Sequence, residues 1–262
     1  MKITMLGCGA SVGVPSLSGG WGICDPDEPR NRRRRCSILV QKGGRTVLVD
    51  ASPDLREQLL DAGVRSIDAL IITHMHADHT HGIDDLRPLY WVTRQCIPTY
   101  ADAETFADIR VRFGYMFENV PTSPPHFTPP LDYHRIDEGT FEIAGMTVEA
   151  MRQDHGTSGE SLGFIFDGRF AYSTDVAHLS ELQLDRLAHL NLELWFVDCL
   201  REKPTTAHAN LEQSLAWIER VKPKQAYFTH MNAQLDYRAT LAKCPAGVAP
   251  GHDGLVVDLT EE

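Results

Sequence analysis

The feature that most constrains the fold of this 262-residue chain is an H-x-H-x-D-H motif at residues 74–79. It directly follows the apolar run 69–72, which we predict to be a short buried strand. His74 and His76 are two residues apart, so their side chains point the same way in extended backbone, and the last two motif residues can face a second position. A chance cluster of surface histidines would not be expected right after a buried strand. Because imidazole and carboxylate bind zinc, manganese or iron, the motif predicts a metal centre.

Three further candidate ligands lie elsewhere in the chain, and each follows an apolar strand. Four motif residues are too few for two metal ions, so the rest of the chain must supply the others. Ends of rigid strands are where folds present ligands to a site. The candidates are His155, Asp175 and His230, after the strands predicted at 147–151, 169–173 and 225–229. With the motif they form a plausible set of seven ligands.

The order of predicted elements indicates an α/β fold with two similar halves. Gly43 and Gly44 form the turn of a hairpin between strands at 37–40 and 46–49. The other strands are predicted at 3–6, 69–72, 140–143, 147–151, 162–166, 169–173, 194–198, 225–229 and 255–259, and helices at 54–62, 179–187 and 211–221. A helix or irregular cap is expected within 102–119, and an ordered loop or lid at the proline-rich stretch 121–130. Two sheets packed face to face, with helices outside, in a single domain over residues 1–262, fit this order.

The charge and cysteine content narrow the possible partners and location. The formal net charge of −11 disfavours general nucleic-acid binding, because affinity for phosphate backbones comes largely from Lys and Arg, so no stable nucleic-acid complex is expected. The basic run 30–35 is either a solvated face or an anion-binding loop near the site. Six scattered cysteines without a C-x-x-C pair, and no apolar stretch of membrane-spanning length, predict a cytoplasmic protein with reduced thiols and no membrane contact.

The H-x-H-x-D-H motif followed by separate His, Asp and His resembles the metallo-β-lactamase superfamily, over residues 3–259. The resemblance implies an αββα sandwich of two packed mixed sheets with helices on the outer faces. It also implies a hydrolase with two divalent ions, zinc or manganese. By this resemblance the first ion is held by His74, His76 and His155, the second by Asp78, His79 and His230, and Asp175 bridges them. A bridging Asp without a Cys ligand indicates a hydrolytic branch, not the antibiotic-degrading one.

Two ions that share a water can produce hydroxide at neutral pH and offset the charge of a phosphodiester. A leaving alkoxide still needs a proton from a general acid. His208 is the candidate, because phosphodiesterases of the superfamily carry a similar His ahead of a similar helix; the alternative is a His with only a local hydrogen bond. We predict Asp78 and His208 as the catalytic residues. Family members also place an Asp near the ligands at the position of Asp50, which either accepts a ligand histidine's second N–H or caps the helix that begins near Asp54.

Segments 7–15, 29–33 and 36–37 resemble the PhnP-type cyclic phosphodiesterase branch of the superfamily. The resemblance implies a small, cyclic ribosyl or nucleotide phosphodiester as substrate. That branch commonly binds an additional structural zinc through three cysteines and a histidine. Here only Cys24 of the cysteine run is present, with Gly19 and Trp21 in the other two places and Ala233 in place of the histidine. We therefore predict no third zinc, with the loop held by packing.

Several alternatives remain open at this stage. On the same fold, the chain could be an RNA-processing nuclease, or a lactone or thioester hydrolase, since a two-metal centre alone does not select phosphorus over acyl carbon. Outside enzymes, it could be a non-catalytic metal-binding sensor. A homodimer is possible. Specificity is expected to lie within 102–130, where Arg112, Tyr115 and His126 could contact a ligand.

Overall fold

The computed structural model describes residues 1–119, 123 and 127–260, and within them fourteen strands form two seven-stranded sheets. The first sheet contains β1 (Lys2–Gly7), β2 (Ser37–Lys42), β3 (Arg45–Val49), β4 (Ala69–Ile71), β5 (Ile97–Ala101), β6 (Leu131–Arg135) and β14 (Leu255–Asp258). The second contains β7 (Gly139–Ile143), β8 (Met146–Asp154), β9 (Glu160–Phe166), β10 (Phe170–Ser173), β11 (Leu194–Asp198), β12 (Gln225–Thr229) and β13 (Val248–Pro250). The chain thus divides its strands equally between the two sheets.

Both sheets are mixed, with one antiparallel half and one parallel half. The first runs β14-β1-β2-β3-β4-β5-β6, with parallel pairing from β3 to β6. The second runs β13-β12-β11-β10-β9-β8-β7, with parallel pairing from β10 to β13. Within each parallel half the carboxyl ends of the strands meet at one edge of the sheet, and the loops that follow them carry six of the seven candidate ligands. The seventh, His155, follows β8 of the antiparallel half.

Alternating apolar residues explain how each sheet buries its two faces. Along β3, Val47 and Val49 point into the core between the sheets, whereas Leu48 points to the outer face. The central core joins residues of both sheets, for example Ile3 with Phe164. The predicted arrangement of two packed mixed sheets with helices on the outer faces is confirmed.

The helices lie on those outer faces and are α1 (Leu55–Asp61), α2 (Ala77–Thr80), α3 (Arg87–Thr93), α4 (Ala103–Phe113), α5 (Glu181–His189), α6 (Leu211–Val221) and α7 (Tyr237–Leu241). Caps set several of their boundaries. Ser180 and Gln183 form a reciprocal capping box at α5, so this helix begins two residues later than the sequence suggested. Asn210 accepts a hydrogen bond from Gln213 N at the start of α6. None of the described helices is long and apolar enough to cross a membrane.

The region between residues 95 and 135 differs most from the sequence prediction. It contains two strands, β5 and β6, that were not foreseen. β5 includes Pro98, and β6 is a polar edge strand with the sequence LDYHR, so neither shows a clear strand pattern. Between them, the expected helix or cap at 102–119 is α4 with a short 3₁₀ turn after it. Much of the expected loop 121–130, including His126, lies outside the described residues.

Candidate metal centre

All seven candidate ligands are brought together at the carboxyl edge of the two sheets. His74 and the rest of the motif follow β4, with α2 beginning immediately after His76. Asp175 and His230 follow β10 and β12, and both have left-handed backbone, with φ of 53° and 56°. Asp50, at the end of β3, has φ of 63°. Left-handed backbone is uncommon outside glycine but is tolerated better by Asp and His than by most residues, which suits these residue types to the three strand ends.

Four residues, His74, His76, His155 and Asp175, form the first cluster, with one ligand atom each within 4.8 Å of the others. His74 Nε2 lies 2.8 Å from His76 Nδ1 and 3.8 Å from Asp175 Oδ1. His155 Nε2 lies 3.5 Å from the same Asp175 oxygen. Three imidazole nitrogens and a carboxylate oxygen therefore converge on one position.

A second cluster, Asp78, His79 and His230, lies on the other side of Asp175. Asp78 Oδ2 is 3.3 Å from His79 Nε2 and 3.4 Å from His230 Nε2. Asp175 Oδ2 is 3.1 Å from His79 Nε2, and its Oδ1 is 3.4 Å from His230 Nε2. The Asp175 carboxylate thus contacts both clusters, as a bridging ligand must.

Hydrogen bonds behind the clusters fix the orientation of three histidines. His79 Nδ1–H donates to Asp50 Oδ2 at 2.7 Å, and His155 Nδ1–H donates to the Ala207 carbonyl at 2.6 Å. The Thr73 hydroxyl, 3.0 Å from both Asp50 oxygens, donates to that carboxylate and accepts from His74 Nδ1–H at 2.9 Å. In each ring the proton on Nδ1 leaves Nε2 free to coordinate a metal. Asp50 therefore contacts a candidate ligand histidine, whereas the N-cap of α1 is Asp54.

The first cluster offers neutral imidazoles. Burial lowers the pKa of His74 well below its ordinary value, and burial also lowers the pKa values of His76 and His155. At neutral pH these rings therefore carry free lone pairs, which is the form that binds a metal ion.

The second cluster is built to hold positive charge. Burial lowers the pKa of His79, but the Asp175, Asp78 and Asp50 carboxylates outweigh it and raise that pKa well above its ordinary value. Buried His79 Nε2 has no hydrogen-bond partner among the described residues, although the Asp175 carboxylate is close. A divalent cation would satisfy this nitrogen and both neighbouring carboxylates. The donor set therefore fits two ions, and nitrogen with carboxylate oxygen suits zinc or manganese.

His208 lies beside the clusters, and its ring is held by a buried acid. His208 Nδ1 is 2.9 Å from Asp198 Oδ2, and the ring stacks on His230 with centroids 4.5 Å apart. The alternative that His208 makes only a local hydrogen bond is therefore wrong, because Asp198 and His230 are distant from it in sequence. Asp198 is fully buried and also accepts from Val176 N at 2.9 Å. Sequence reasoning missed Asp198, although it ends an apolar strand just before a loop, as the candidate ligands do.

Most of the basic run 30–35 is tied to the protein by side-chain contacts, and of its five arginines only Arg32 is exposed. Whether the run also binds an anion stays a prediction. Arg33 is buried and donates to the Leu235 carbonyl at 2.7 Å, which ties the run to the segment after His230. Arg32 packs over the Trp21 ring at 5.5 Å. The other three arginines pair with carboxylates: Arg30 with Glu28, Arg34 with Asp253 and Asp61, and Arg35 with Asp54. The run mainly holds its own loop in place.

The loop around Cys24, where the sequence analysis predicted no third zinc, is held by backbone contacts. Ile23 N donates to the Ala233 carbonyl at 2.9 Å. Gly22 has φ of 57°, and a Cβ there would lie 2.4 Å from Ala233 O, so only glycine fits. The buried Cys24 thiol donates to the Leu235 carbonyl at 3.5 Å. The absence of a third zinc stays a prediction.

Comparisons with known proteins identify relatives of the whole chain. Residues 45–231 match the beta-lactamase superfamily domain. A solved structure described as a new diphosphatase from the PhnP family is 34% identical, with 99% of this chain and 98% of that one aligned and a TM-score of 0.89.

Two curated relatives have lower sequence identity to this chain than that structure has, and both are longer than this chain. An octanoyltransferase of Porphyromonas gingivalis is 30% identical over the full length of this chain but only 52% of its own. A ribonuclease Z of Mycobacterium sp. (strain KMS) is 29% identical over 63% of this chain and 56% of its own. The chain thus spans about half the length of each of these two proteins.

Proposed function

This chain belongs to the PhnP family of the beta-lactamase superfamily, and on that premise we propose that it is a two-metal hydrolase of small, nucleotide-like phosphodiesters. The membership confirms the resemblance drawn from the metal motif and the Gly-rich and Arg-rich segments. The observation that carries the proposal is the position of Asp175, whose carboxylate contacts both ligand clusters, beside the His208–Asp198 pair.

The proposed ligands divide between the two ions as the clusters do. His74, His76 and His155 would hold one ion, Asp78, His79 and His230 would hold the other, and Asp175 would contact both. When bound, two divalent cations lower the pKa of a shared water and offset the negative charge of a phosphate ester. The protein's part is to hold these seven side chains in place, and Asp50, Thr73 and Ala207 do this through the ring N–H groups of three ligands.

His208 supplies the proton that the leaving oxygen needs. Asp198 accepts from His208 Nδ1–H, which fixes the ring and leaves Nε2 to carry the transferable proton. The His208 side chain is 14% exposed, so it reaches the surface that a substrate must approach.

A small substrate with an alkoxide or phosphate leaving group fits this site best. The net charge of −11 gives no general attraction for a long RNA. We propose cyclic phosphodiesters, such as a 2′,3′-cyclic nucleotide or a ribosyl cyclic phosphate, as the first class. Because a PhnP-family relative is described as a diphosphatase, nucleoside diphosphate esters are the second class.

The test is a substrate panel with chelator-treated protein reloaded with zinc or with manganese. The panel contains 2′,3′-cyclic AMP, a dinucleoside diphosphate, a short single-stranded RNA and a simple lactone. Metal-dependent opening of the cyclic nucleotide, faster than RNA cleavage, is expected. Turnover of only RNA or only the lactone would contradict the proposal. Asp175→Ala protein is the control for a contaminating hydrolase.

A second candidate is hydrolysis of an acyl ester or thioester. The observation behind it is that the whole of this chain aligns with a protein called an octanoyltransferase. About half of that protein lies outside the alignment. An octanoyl thioester assayed in the same panel separates the two candidates. Octanoyl hydrolysis that exceeds cyclic phosphodiester turnover would favour the acyl function, whereas the His208–Asp198 proton donor favours phosphate.

Three other expectations stay proposals. We expect two bound ions and no third zinc, which metal analysis of the loaded protein checks. A homodimer can be tested by light scattering at several protein concentrations. A cytoplasmic location can be tested by fractionation of the source cells.

A further inference from the structure

The loop that carries four of the proposed ligands, residues 74–81, contains one candidate ligand histidine whose ring is not held by a residue behind the clusters. We call it the metal loop. His74 and His79 each have a ring hydrogen bond to a residue behind the clusters. Among the described residues, the His76 ring has a hydrogen-bond partner only in His74, itself a proposed ligand. His76 is also only half-buried, unlike the fully enclosed His74. Its orientation must therefore be set through its backbone.

One side chain from outside the metal loop, that of Arg112, forms hydrogen bonds with this loop. Arg112 Nη2 donates to the Met75 carbonyl at 2.5 Å, at the peptide group that joins Met75 to His76. Arg112 Nη1 lies 3.2 Å from Thr80 Oγ1 and 2.8 Å from His81 Nε2. The guanidinium therefore spans both ends of the short helix α2, before and after the ligand residues.

A second hydrogen bond completes the restraint. The Thr80 hydroxyl, which Arg112 contacts, donates to the His76 carbonyl at 2.9 Å. The two peptide groups on either side of the His76 Cα are thus held, one by Arg112 directly and the other through Thr80. With both peptides fixed, the direction of the His76 Cα–Cβ bond is fixed as well. A planar guanidinium makes these contacts from two separate nitrogens in a fixed geometry, whereas an ammonium group has a single nitrogen.

The position of Arg112 is itself set by the core and not by the loop that it holds. It lies in the last turn of α4, whose N-terminus is capped by Asp102 and whose buried Ile109 packs in the core on the outer face of the first sheet. Asp108, one turn earlier, pairs with the guanidinium. The fold thus presents a pre-oriented guanidinium to the metal loop.

We propose that Arg112 is a positioning residue for the metal centre, which holds His76 in the direction needed to bind an ion. This inference rests on the proposed two-metal function. It also gives a role to part of the segment 102–130, which the sequence suggested as a specificity region. Arg112 contacts protein groups, and so does Tyr115, whose hydroxyl donates to Asp84 Oδ1 at 2.5 Å.

The same helix offers a matched control. Arg110 lies two residues away and pairs with Glu118 at 2.9 Å, with both side chains largely exposed. Arg110→Gln therefore removes an arginine and an ion pair from α4 without touching the metal loop. Arg112→Gln removes the hydrogen bonds of the guanidinium to the Met75 carbonyl and Thr80 Oγ1. Arg112→Lys keeps the positive charge but loses the two separate nitrogens that contact Met75 and Thr80.

The experiment measures zinc affinity of the whole chain by competition with a chromophoric chelator, together with the absorption spectrum of the cobalt-loaded protein. Loss of a residue that orients a ligand typically weakens metal binding by roughly 10–100-fold. We expect Arg112→Gln to weaken the binding of one of the two zinc ions by about that factor and to change the absorption spectrum of the cobalt-loaded protein. Arg112→Lys should be intermediate, and Arg110→Gln should differ from wild type by less than about two-fold, a surface-pair effect.

The outcomes separate this inference from the proposal on which it rests. If wild type binds two zinc ions and Arg112→Gln binds both as tightly with an unchanged cobalt spectrum, the positioning role is wrong and the metal centre stands. If wild type binds no zinc, both are wrong. Thermal unfolding of the metal-free variants shows whether each one folds. Should Arg112→Gln fail to fold, Arg112→Lys decides: wild-type affinity and spectrum in that variant would overturn the role.

Discussion

Replacing His208 with alanine distinguishes a proton donor from a residue that merely shapes the site. His208 Nδ1 lies 2.9 Å from Asp198 Oδ2 and 3.9 Å from Asp175 Oδ1, so the ring is adjacent to the seven proposed ligands without being one of them. General acid catalysis contributes roughly 10²–10⁴-fold to a rate. This corresponds to about 3–5 kcal/mol of transition-state stabilisation. We expect His208→Ala to lower turnover of 2′,3′-cyclic AMP by that factor with both metal ions retained.

The leaving group provides the decisive comparison. Opening a cyclic nucleotide expels an alkoxide that needs a proton, whereas bis-p-nitrophenyl phosphate expels a stable phenolate that does not. His208→Ala should therefore slow the second substrate by less than about ten-fold. Asp198→Asn keeps the ring but loses a buried charge-assisted hydrogen bond worth about 1.5–3 kcal/mol, so we expect a loss of roughly 10–100-fold on the cyclic substrate.

The assay is steady-state hydrolysis of both substrates by zinc-loaded wild type and variants, with metal content measured on the same samples. His189→Ala, at an exposed histidine on α5, is the matched control and should behave as wild type. Equal losses on the two substrates would refute the proton-donor role. Loss of a metal ion in His208→Ala would show instead that His208 is a ligand, which its proximity to Asp175 and His230 makes a concrete alternative.

Three further predictions concern the ligands, their packing and pH. Asp175→Ala should reduce bound zinc from two ions per chain towards one or none by metal analysis, and unchanged two-ion occupancy would remove the bridging role. Gly156→Ala should lower turnover of the cyclic substrate at least ten-fold, because its Cβ would lie 1.8 Å from Thr206 O and push away the loop that carries the proton donor; near-wild-type kinetics would contradict this contact. Hydrogen bonds from Arg30 and Arg238 hold the pKa of Glu28 at about 2, below its ordinary 4.5. The stability that Glu28 provides is therefore present above about pH 4.5 and lost as the pH falls towards 2, so the difference in Tm between wild type and Glu28→Gln should vanish there.

The sequence selected the seven candidate ligands that the structure brings together, because each lies in a segment that follows an apolar strand. His155 and His230 are isolated in sequence, yet their strand-end positions were sufficient to select them. Asp198 follows the same rule and was missed, because no motif drew attention to it and its partner, His208, lies ten residues away in a loop. Its role depends on a contact between two loops that periodicity cannot predict.

The segment between the metal motif and residue 135 was the least predictable part of the fold. β6 has one buried residue in five, since it lies at the edge of the sheet, so alternation was too weak to show it. Arg112 gave no signal of its role either, because nothing in the sequence around it distinguishes it from Arg110 on the same helix as the arginine that contacts the metal loop. Only the tertiary position of α4 distinguishes the arginine that reaches Met75 from the one that faces solvent.

The basic run illustrates a different limit. Five arginines in six residues suggested an exposed cationic surface, but charge composition does not reveal partners that are distant in sequence. Asp54 and Asp253 neutralise Arg35 and Arg34, and buried Arg33 meets backbone carbonyls. A buried or paired arginine needs these groups, because an unpaired charge inside a protein is costly.

The central claim, a phosphodiester hydrolase that works with two ions, is tested most directly by a metal titration. Chelator-treated protein is titrated with zinc while the rate of 2′,3′-cyclic AMP opening is recorded. The account predicts no turnover without metal and a rate that reaches its plateau at two zinc ions per chain. A plateau at one ion, turnover in the metal-free protein, or no opening of the cyclic nucleotide at any zinc content would contradict it.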